Sequence, residues 1–282
     1  MSEHESVDTF AHLTQRVFEQ IEVSMRGECN ESLTSGIDAF EQLGVTLNPG
    51  SLFVIAGRPM SGKSSLSMQL AANVSLAQTP CSVFSLEIDK EEYALRLMCQ
   101  HAQVDVNNIK RGRMTESNWA KLIKAAGNLQ DAPLSILDNY WSISDIVDNA
   151  TKCVDEHGSR VIIIDNMHLV RSPNHQNKYE EVSDITRSLK QLARQTSATV
   201  IVTAQLNRKL EDREDKTPTL PDLRDSGHLE QDADLIVMLH RKELYEQSWE
   251  NRGLVDVMIV KDRQGPTRTT ESKFNPIFQQ FS

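Results

Sequence analysis

Residues 57–64 read Gly57-Arg58-Pro59-Met60-Ser61-Gly62-Lys63-Ser64, which fits the spacing G-x-x-x-x-G-K-[ST]. Glycines at those positions let backbone N–H groups turn inward around phosphate oxygens. The first turn of a following helix adds partial positive charge. Lys63 would reach the terminal phosphates of a nucleoside triphosphate, and the Ser64 hydroxyl would ligate Mg2+. Ser65 completes the phosphate-binding stretch. An apolar run (52–56) enters this turn and a helical pattern (63–77) leaves it, a context that a chance glycine-rich turn lacks.

Four further apolar runs are followed by polar groups. Asp165 ends the run 160–164, where it could hold the water shell of Mg2+; alone, such an aspartate is more often a turn or helix cap. Its pairing with the phosphate loop about a hundred residues earlier favours the metal role. Glu87 follows 83–86 and could polarise an attacking water, or be a solvated strand-end charge. Gln205 follows 200–204 and could bond a γ-phosphate and signal its presence, or be a strand-terminal amide. Spacing does not separate these readings. Lys261 and Arg263 follow 254–260 and could act as a charge-stabilising finger for a neighbour's nucleotide, although a Lys-x-Arg pair by itself reads more simply as a solvated cationic face.

The elements that must position these groups alternate. Short apolar strands are predicted at 52–56, 81–86, 134–137, 160–164 and 198–204. Helices are predicted at 63–77, on the face Trp119, Leu122, Ile123 and Ala126, after a cap at Ser142 or Ser144, and through Val182, Ile185, Leu189 and Leu192. Continuous apolar strands between amphipathic helices imply an α/β fold with a buried, largely parallel sheet. Residues 206–227 read as a long polar loop. The runs 235–239, 254–260 and 268–274 read as antiparallel-prone edges. Ahead of all this, Phe10, Leu13, Val17, Ile21 and Met25 recur at helical spacing, which predicts an amphipathic leader helix over 6–26.

Composition narrows the classes. The chain has 282 residues, enough for one large domain or two modest ones. No apolar run is long enough to span a bilayer, and the start MSEHESVDTF is too polar for a secretory signal, so no membrane partner and a cytoplasmic location are expected. The four cysteines form no C-x-x-C pair and read as reduced core thiols; the eight histidines show no zinc spacing. Net charge is −10, which argues against wrapping duplex DNA on the outer surface; a nucleic acid would have to meet a locally positive strip or backbone N–H groups, which suits a narrow channel better than a broad platform.

Taken together, four stretches resemble the C-terminal RecA-like motor domain of the DnaB family of replicative helicases. They are Ala56 to Ser64, Phe84-Ser85-Leu86-Glu87, Val202-Thr203-Ala204-Gln205-Leu206-Asn207-Arg208, and the run from Asp222-Leu223-Arg224-Asp225-Ser226-Gly227 to Asp234. No general nucleotide-binding rule produces the last one. The resemblance runs from about Ser32 to the C-terminus, so residues 32–282 are expected to be a P-loop motor domain and 1–31 an acidic leader with a linker helix.

The resemblance implies an ATP- and Mg2+-dependent helicase motor that moves along single-stranded DNA. Glu87 becomes the general base, Gln205 the γ-phosphate sensor, Lys261 and Arg263 the trans-acting pair. Arg224, Asp225 and Gly227 become loop positions that hold the DNA backbone. The leader matches a helix that docks on the adjacent subunit, implying a hexameric ring, with a helicase loader as a further partner. Departures are Asn166 and His168 after Asp165, where His168 is expected to be a packed or hydrogen-bonded residue, and a diverged first channel loop at 171–178. No stretch resembles the family's N-terminal collar domain, so ring assembly is expected to rest on motor and linker, without primase recruitment. That departure motivates a second reading, a mobile-element protein that co-assembles with or inhibits a host helicase.

Overall fold

The computed structural model describes residues 9–25, 33–173, 177–246 and 248–282; the side chains at 11, 12, 16, 20, 23, 24 and 224–228 lie outside that description. A leader helix, α1 (Phe10–Met25), precedes α2 (Asp38–Leu43), strand β1 (Leu52–Gly57) and α3 (Lys63–Leu76). Next come β2 (Cys81–Ser85), α4 (Lys90–Ala102), α5 (Val106–Lys110) and α6 (Glu116–Gln130). β3 (Leu134–Leu137), α7 (Ile143–His157), β4 (Val161–Asp165), α8 (Lys178–Thr196) and β5 (Thr199–Gln205) complete the alternating part. α9 (Gly227–Asp232) then leads into β6 (Leu235–His240), β7 (Leu254–Asp262), β8 (Arg268–Asn275) and β9 (Gln280–Phe281).

The strands form one sheet in the order β3-β2-β4-β5-β1-β6-β7-β8-β9. Strands β3 to β6 in that order are parallel, and β7 to β9 are antiparallel. Successive side chains of a strand point to opposite faces, so both faces must be covered. Phe53 and Ile55 of β1 join Leu66, Leu70, Val83, Ile163, Ile201 and Val237 in one core. Leu52, Val54 and Ala56 join Ile162, Ile164, Val200, Val202 and Leu189 in the other. The interior strands are buried on both faces, which is why β1, β4 up to Ile164 and β6 up to Leu239 are unbroken apolar runs, while β2 sets small Ser82 and Ser85 among its apolar residues.

Several expectations need correction. β6 is an interior parallel strand beside β1; only β7 onwards is antiparallel. The segment 206–227 is not one loop, since 3-10 turns occupy Arg208–Asp212 and Leu220–Ser226 and α9 begins at Gly227. Ser142 stands at the N-cap of α7 without a capping bond, because its hydroxyl pairs with Ser144 at 2.7 Å. On α6, Leu122 and Ala125 are buried while Trp119 and Ile123 are exposed, so the inward face is turned from the one expected. Helix α4 is absent from the sequence reading, although Asp89 caps it by accepting from the Glu92 amide at 2.7 Å.

α1 keeps its apolar residues in solvent, with Phe10 84% and Phe18 62% exposed. The expected leader ends, before residue 9 and after Met25, fall outside the described residues. Cys81, Cys99 and Cys153 are buried free thiols, and burial pushes Cys81 up to about 12; Cys29 lies outside the description. None of the described helices is long and apolar enough to cross a membrane.

Candidate active site

β1 ends at Gly57 and α3 starts at Lys63, so the turn 58–62 lies at the C-terminal edge of the parallel strands, where ligands collect. Two of its residues carry positive φ, Met60 at 64° and Gly62 at 99°. A Cβ on Gly62 would sit 2.7 Å from the Phe281 ring, so both backbone strain and crowding demand glycine. We expect Gly62→Ala to lower the unfolding free energy by roughly 1–3 kcal/mol. Urea denaturation measures this; an unchanged midpoint would contradict the left-handed conformation at this position.

Lys63 is buried, and its ammonium donates to the Arg58 carbonyl at 3.0 Å. Burial lowers its pKa to about 8; the Asp165 and Glu87 carboxylates oppose that shift and the Arg58 guanidinium adds to it. A polyanion in the turn would restore the full charge. Beside Lys63, the Ser61 hydroxyl is buried with no hydrogen-bond partner among the described residues. An orphaned donor and an under-compensated cation, both at a helix N-terminus, fit phosphate oxygens.

Asp165 closes β4 and is buried. It accepts from the Thr203 hydroxyl and is also hydrogen-bonded by Ser64. Burial raises its pKa, against the pull of Thr203, Ser64 and Lys63. A divalent cation would stabilise the ionised form, and a carboxylate beside a hydroxyl suits Mg2+, with phosphate and water as the other ligands. Among the described residues no cluster of three or more His, Cys, Asp or Glu gathers that could hold a metal by itself. Sequence reasoning missed Thr203, whose signal was its position two residues before Gln205 on the same strand.

The other two candidates line the same edge. β2 stops at Ser85, and the Leu86 amide donates to the Asp165 carbonyl at 2.7 Å, which sets exposed Glu87 next to the Asp165 strand end. Gln205 is the last residue of β5, in register with Gly57, and its side chain is exposed. Its carbonyl meets His168 Nε2 at 3.2 Å; half-buried His168 is hydrogen-bonded, as expected. On the opposite flank of the turn, Arg241 donates to the Met60 carbonyl at 3.1 Å and lies over the Phe274 ring. A cavity of about 880 Å3 opens there, lined by Arg241, Trp249, Arg252, Phe274 and Ile277.

Lys261 and Arg263 are not part of this cluster. Lys261 pairs with Ile236 and Asp262 with Leu235, at the start of β6, whereas Gly57 is level with Leu239. At ~3.3 Å per residue the cations stand roughly 10 Å down the sheet, two strands over, at the opposite edge. There Lys261 donates to the Glu230 and Gln231 carbonyls, and Arg263 to the Gln231 carbonyl at 2.6 Å and to Asp234 at 3.2 Å. They close the C-terminus of α9 and cannot reach the turn of their own chain. The backbone of Arg224 and Asp225 lies in the 3-10 turn Leu220–Ser226, and Gly227 starts α9; the side chains fall outside the description, as do residues 174–176 of the first expected channel loop.

The family model for the DnaB-like helicase C terminal domain matches residues 32–282. The chain belongs to the DnaB-like helicase C-terminal domain family. Among curated relatives, the replicative DNA helicase DnaB of Leifsonia xyli is 33% identical over 285 aligned positions, covering 99% of this chain and 62% of that protein. DnaB of Geobacillus stearothermophilus is 32% identical, covering 88% and 56%. This DnaB-like chain therefore spans about three fifths of the length of such relatives. Of solved structures, an isolated ATPase domain superposes with a TM-score of 0.87 at 29% identity over 99% of both chains. A DnaB-like replicative helicase solved for its interactions with primase gives 0.86 at 29% identity, over 99% of this chain and 68% of that one.

Within the DnaB-like domain one expected site residue behaves unlike a phosphate ligand. The Arg58 side chain is directed to Glu211 and to the Leu206 carbonyl, at 2.6 and 2.7 Å. Only its main chain is left to join a phosphate cradle.

Proposed function

We propose that this domain hydrolyses ATP with Mg2+ at the boundary between adjacent subunits of a ring, the hexamer that the DnaB family implies, and uses the cycle to move along single-stranded DNA. The observation that carries this is the split of the machinery between two edges of one sheet. Lys63, Ser64, Asp165, Glu87 and Gln205 share the C-terminal edge, while Lys261 and Arg263 stand at the other. A complete pocket needs both sets, and only a second copy can bring them together.

In this reading residues 57–65 hold the phosphates through main-chain amides, and Lys63 screens the β- and γ-phosphates. Ser64 and Asp165 would hold Mg2+, which would supply charge neutralisation for the phosphates when bound. Glu87 orients and deprotonates the attacking water, and Gln205 bonds the γ-phosphate. Lys261 and Arg263 of one subunit stabilise charge developing at the next. The nucleoside lies over the cavity between Arg241 and Trp249, the flank of the turn away from Asp165. Arg224, Asp225 and Gly227 hold the DNA backbone, partly through main-chain N–H groups, which is compatible with a chain of net charge −10. Residues 32–282 act as the motor, and α1 docks its exposed apolar residues on the neighbouring copy; a loader is a further partner of the ring.

We expect ATP hydrolysis to be stimulated by single-stranded DNA and not by duplex, with native mass spectrometry showing higher-order assemblies in an ATP analogue and a short oligonucleotide. A protein that stays monomeric and leaves ATP intact at saturating single-stranded DNA would sink this reading.

A further inference from the structure

Arg58 supplies the side-chain link from the phosphate turn to the segment that follows Gln205, beside the Leu206 amide that donates to the Gly57 carbonyl at 3.2 Å. Arg58 is buried, at 9% exposure. Nε and Nη2 donate to one oxygen of Glu211, at 2.9 and 2.6 Å, and Nη1 donates to the Leu206 carbonyl at 2.7 Å. The Tyr245 hydroxyl lies against the same group. Meanwhile the Arg58 carbonyl receives both the Lys63 ammonium, at 3.0 Å, and the Ser61 amide, at 3.1 Å. One residue thus fixes the phosphate-binding lysine with its main chain and the residue after Gln205 with its side chain.

Glu211 is well placed to act on that junction. It sits in the 3-10 turn Arg208–Asp212, anchored by buried Leu210 and capped by Asn207, which accepts from the Lys209 amide at 3.0 Å. The Asn207 amide donates to the Asp222 carbonyl at 2.9 Å, and Lys216 donates to the Glu211 carbonyl at 2.7 Å. The turn is therefore tied to the start of the Leu220–Ser226 segment, which carries Arg224 and Asp225. A charged hydrogen bond to a buried guanidinium is strong and directional, and losing its acceptor leaves that cation under-satisfied.

We propose that Glu211 is a positioning residue for hydrolysis: through Arg58 it locks the Gln205 segment to the phosphate turn, so that displacement of the 206–226 segment is transmitted to Lys63 and Gln205. This rests on the reading of the site as an ATPase for the identity of the reaction. A carboxylate that merely stapled a loop would alter stability alone. A positioning carboxylate alters the chemical step while the backbone cradle still binds nucleotide.

The test compares Glu211→Ala, Glu211→Gln and Glu211→Asp with the unsubstituted chain at saturating single-stranded DNA. For Glu211→Ala and Glu211→Gln we expect kcat to fall roughly ten- to a hundredfold, as for a misplacement of about an ångström, with KM for ATP changed by less than about threefold. Glu211→Asp is expected to recover part of kcat. Hydrogen exchange of the nucleotide-free protein supplies a readout independent of turnover: Glu211→Ala should speed exchange in residues 58–62 as well as in 206–210. Wild-type kcat in Glu211→Ala, or faster exchange confined to 206–212, overturns the proposal. Should the unsubstituted chain itself fail to hydrolyse ATP, the ATPase reading falls, and the exchange pattern still decides whether Glu211 holds the phosphate turn.

Discussion

Arg263→Ala is expected to abolish steady-state ATP hydrolysis, by on the order of 10³-fold or more, while nucleotide binding stays largely intact. The phosphate cradle, Lys63, Ser64 and Asp165 are untouched by this change, since Arg263 stands at the opposite edge of the sheet with its guanidinium on the Gln231 carbonyl and Asp234. The local cost should be small, because the Arg263 side chain is 42% exposed in its ion pair with Asp234 and solvent screens such a contact. The decisive version mixes two inactive chains, Arg263→Ala and Lys63→Ala. In a random one-to-one ring about a quarter of the interfaces would join an intact phosphate turn to an intact arginine, so hydrolysis should return to that order. Normal turnover in the single variant, or no recovery on mixing, removes the assignment of Arg263 to a neighbour's site.

Glu87→Gln should separate binding from chemistry within one subunit. The amide keeps the shape of the carboxylate but cannot take a proton, so kcat should fall about 10²- to 10⁴-fold with ATP affinity unchanged within a few-fold. Glu87 is exposed at the end of β2, and the Leu86 amide already fixes the preceding residue on Asp165, so the backbone should not move. Single-turnover hydrolysis and equilibrium binding of labelled ATP measure the two quantities separately. A kcat within twofold of the unsubstituted chain would return Glu87 to the status of a solvated strand-end charge. Lys63→Ala serves as the contrast, because losing the buried ammonium should weaken ATP binding itself.

Much of this protein was legible in its residues. The phosphate turn is a local object: Gly57, Gly62 and Lys63 are close in sequence, and their conformations follow from which residues tolerate positive φ. The two-sided apolar runs of β1 and β4 require a sheet covered on both faces, so the parallel core was readable from the residue pattern. Asp165 could be set at the sheet edge that carries the turn because it closes an apolar strand of the parallel core, and the fold brings it within hydrogen-bond reach of Ser64. Family likeness, carried above all by residues 222–234, added what no local rule supplies.

Other features depended on long-range placement. β6 is as unbroken an apolar run as β1, which marks a strand covered on both faces, but its place between β1 and β7 and its direction emerged only with the sheet. Trp119 and Ile123 look inward by helical periodicity, yet α6 turns Leu122 and Ala125 to the core instead, because packing against α4 sets the rotation of the helix. The same holds for the cations and the clamp. Lys261 and Arg263 stand at the end of β7 in sequence, but antiparallel register alone carries them to the edge away from the turn 58–62. Arg58 and Glu211 are 153 residues apart, and nothing in either neighbourhood announces the pair. Local stereochemistry writes turns and strand faces into short stretches of chain, whereas register, helix rotation and distant ion pairs are settled only when the whole core closes.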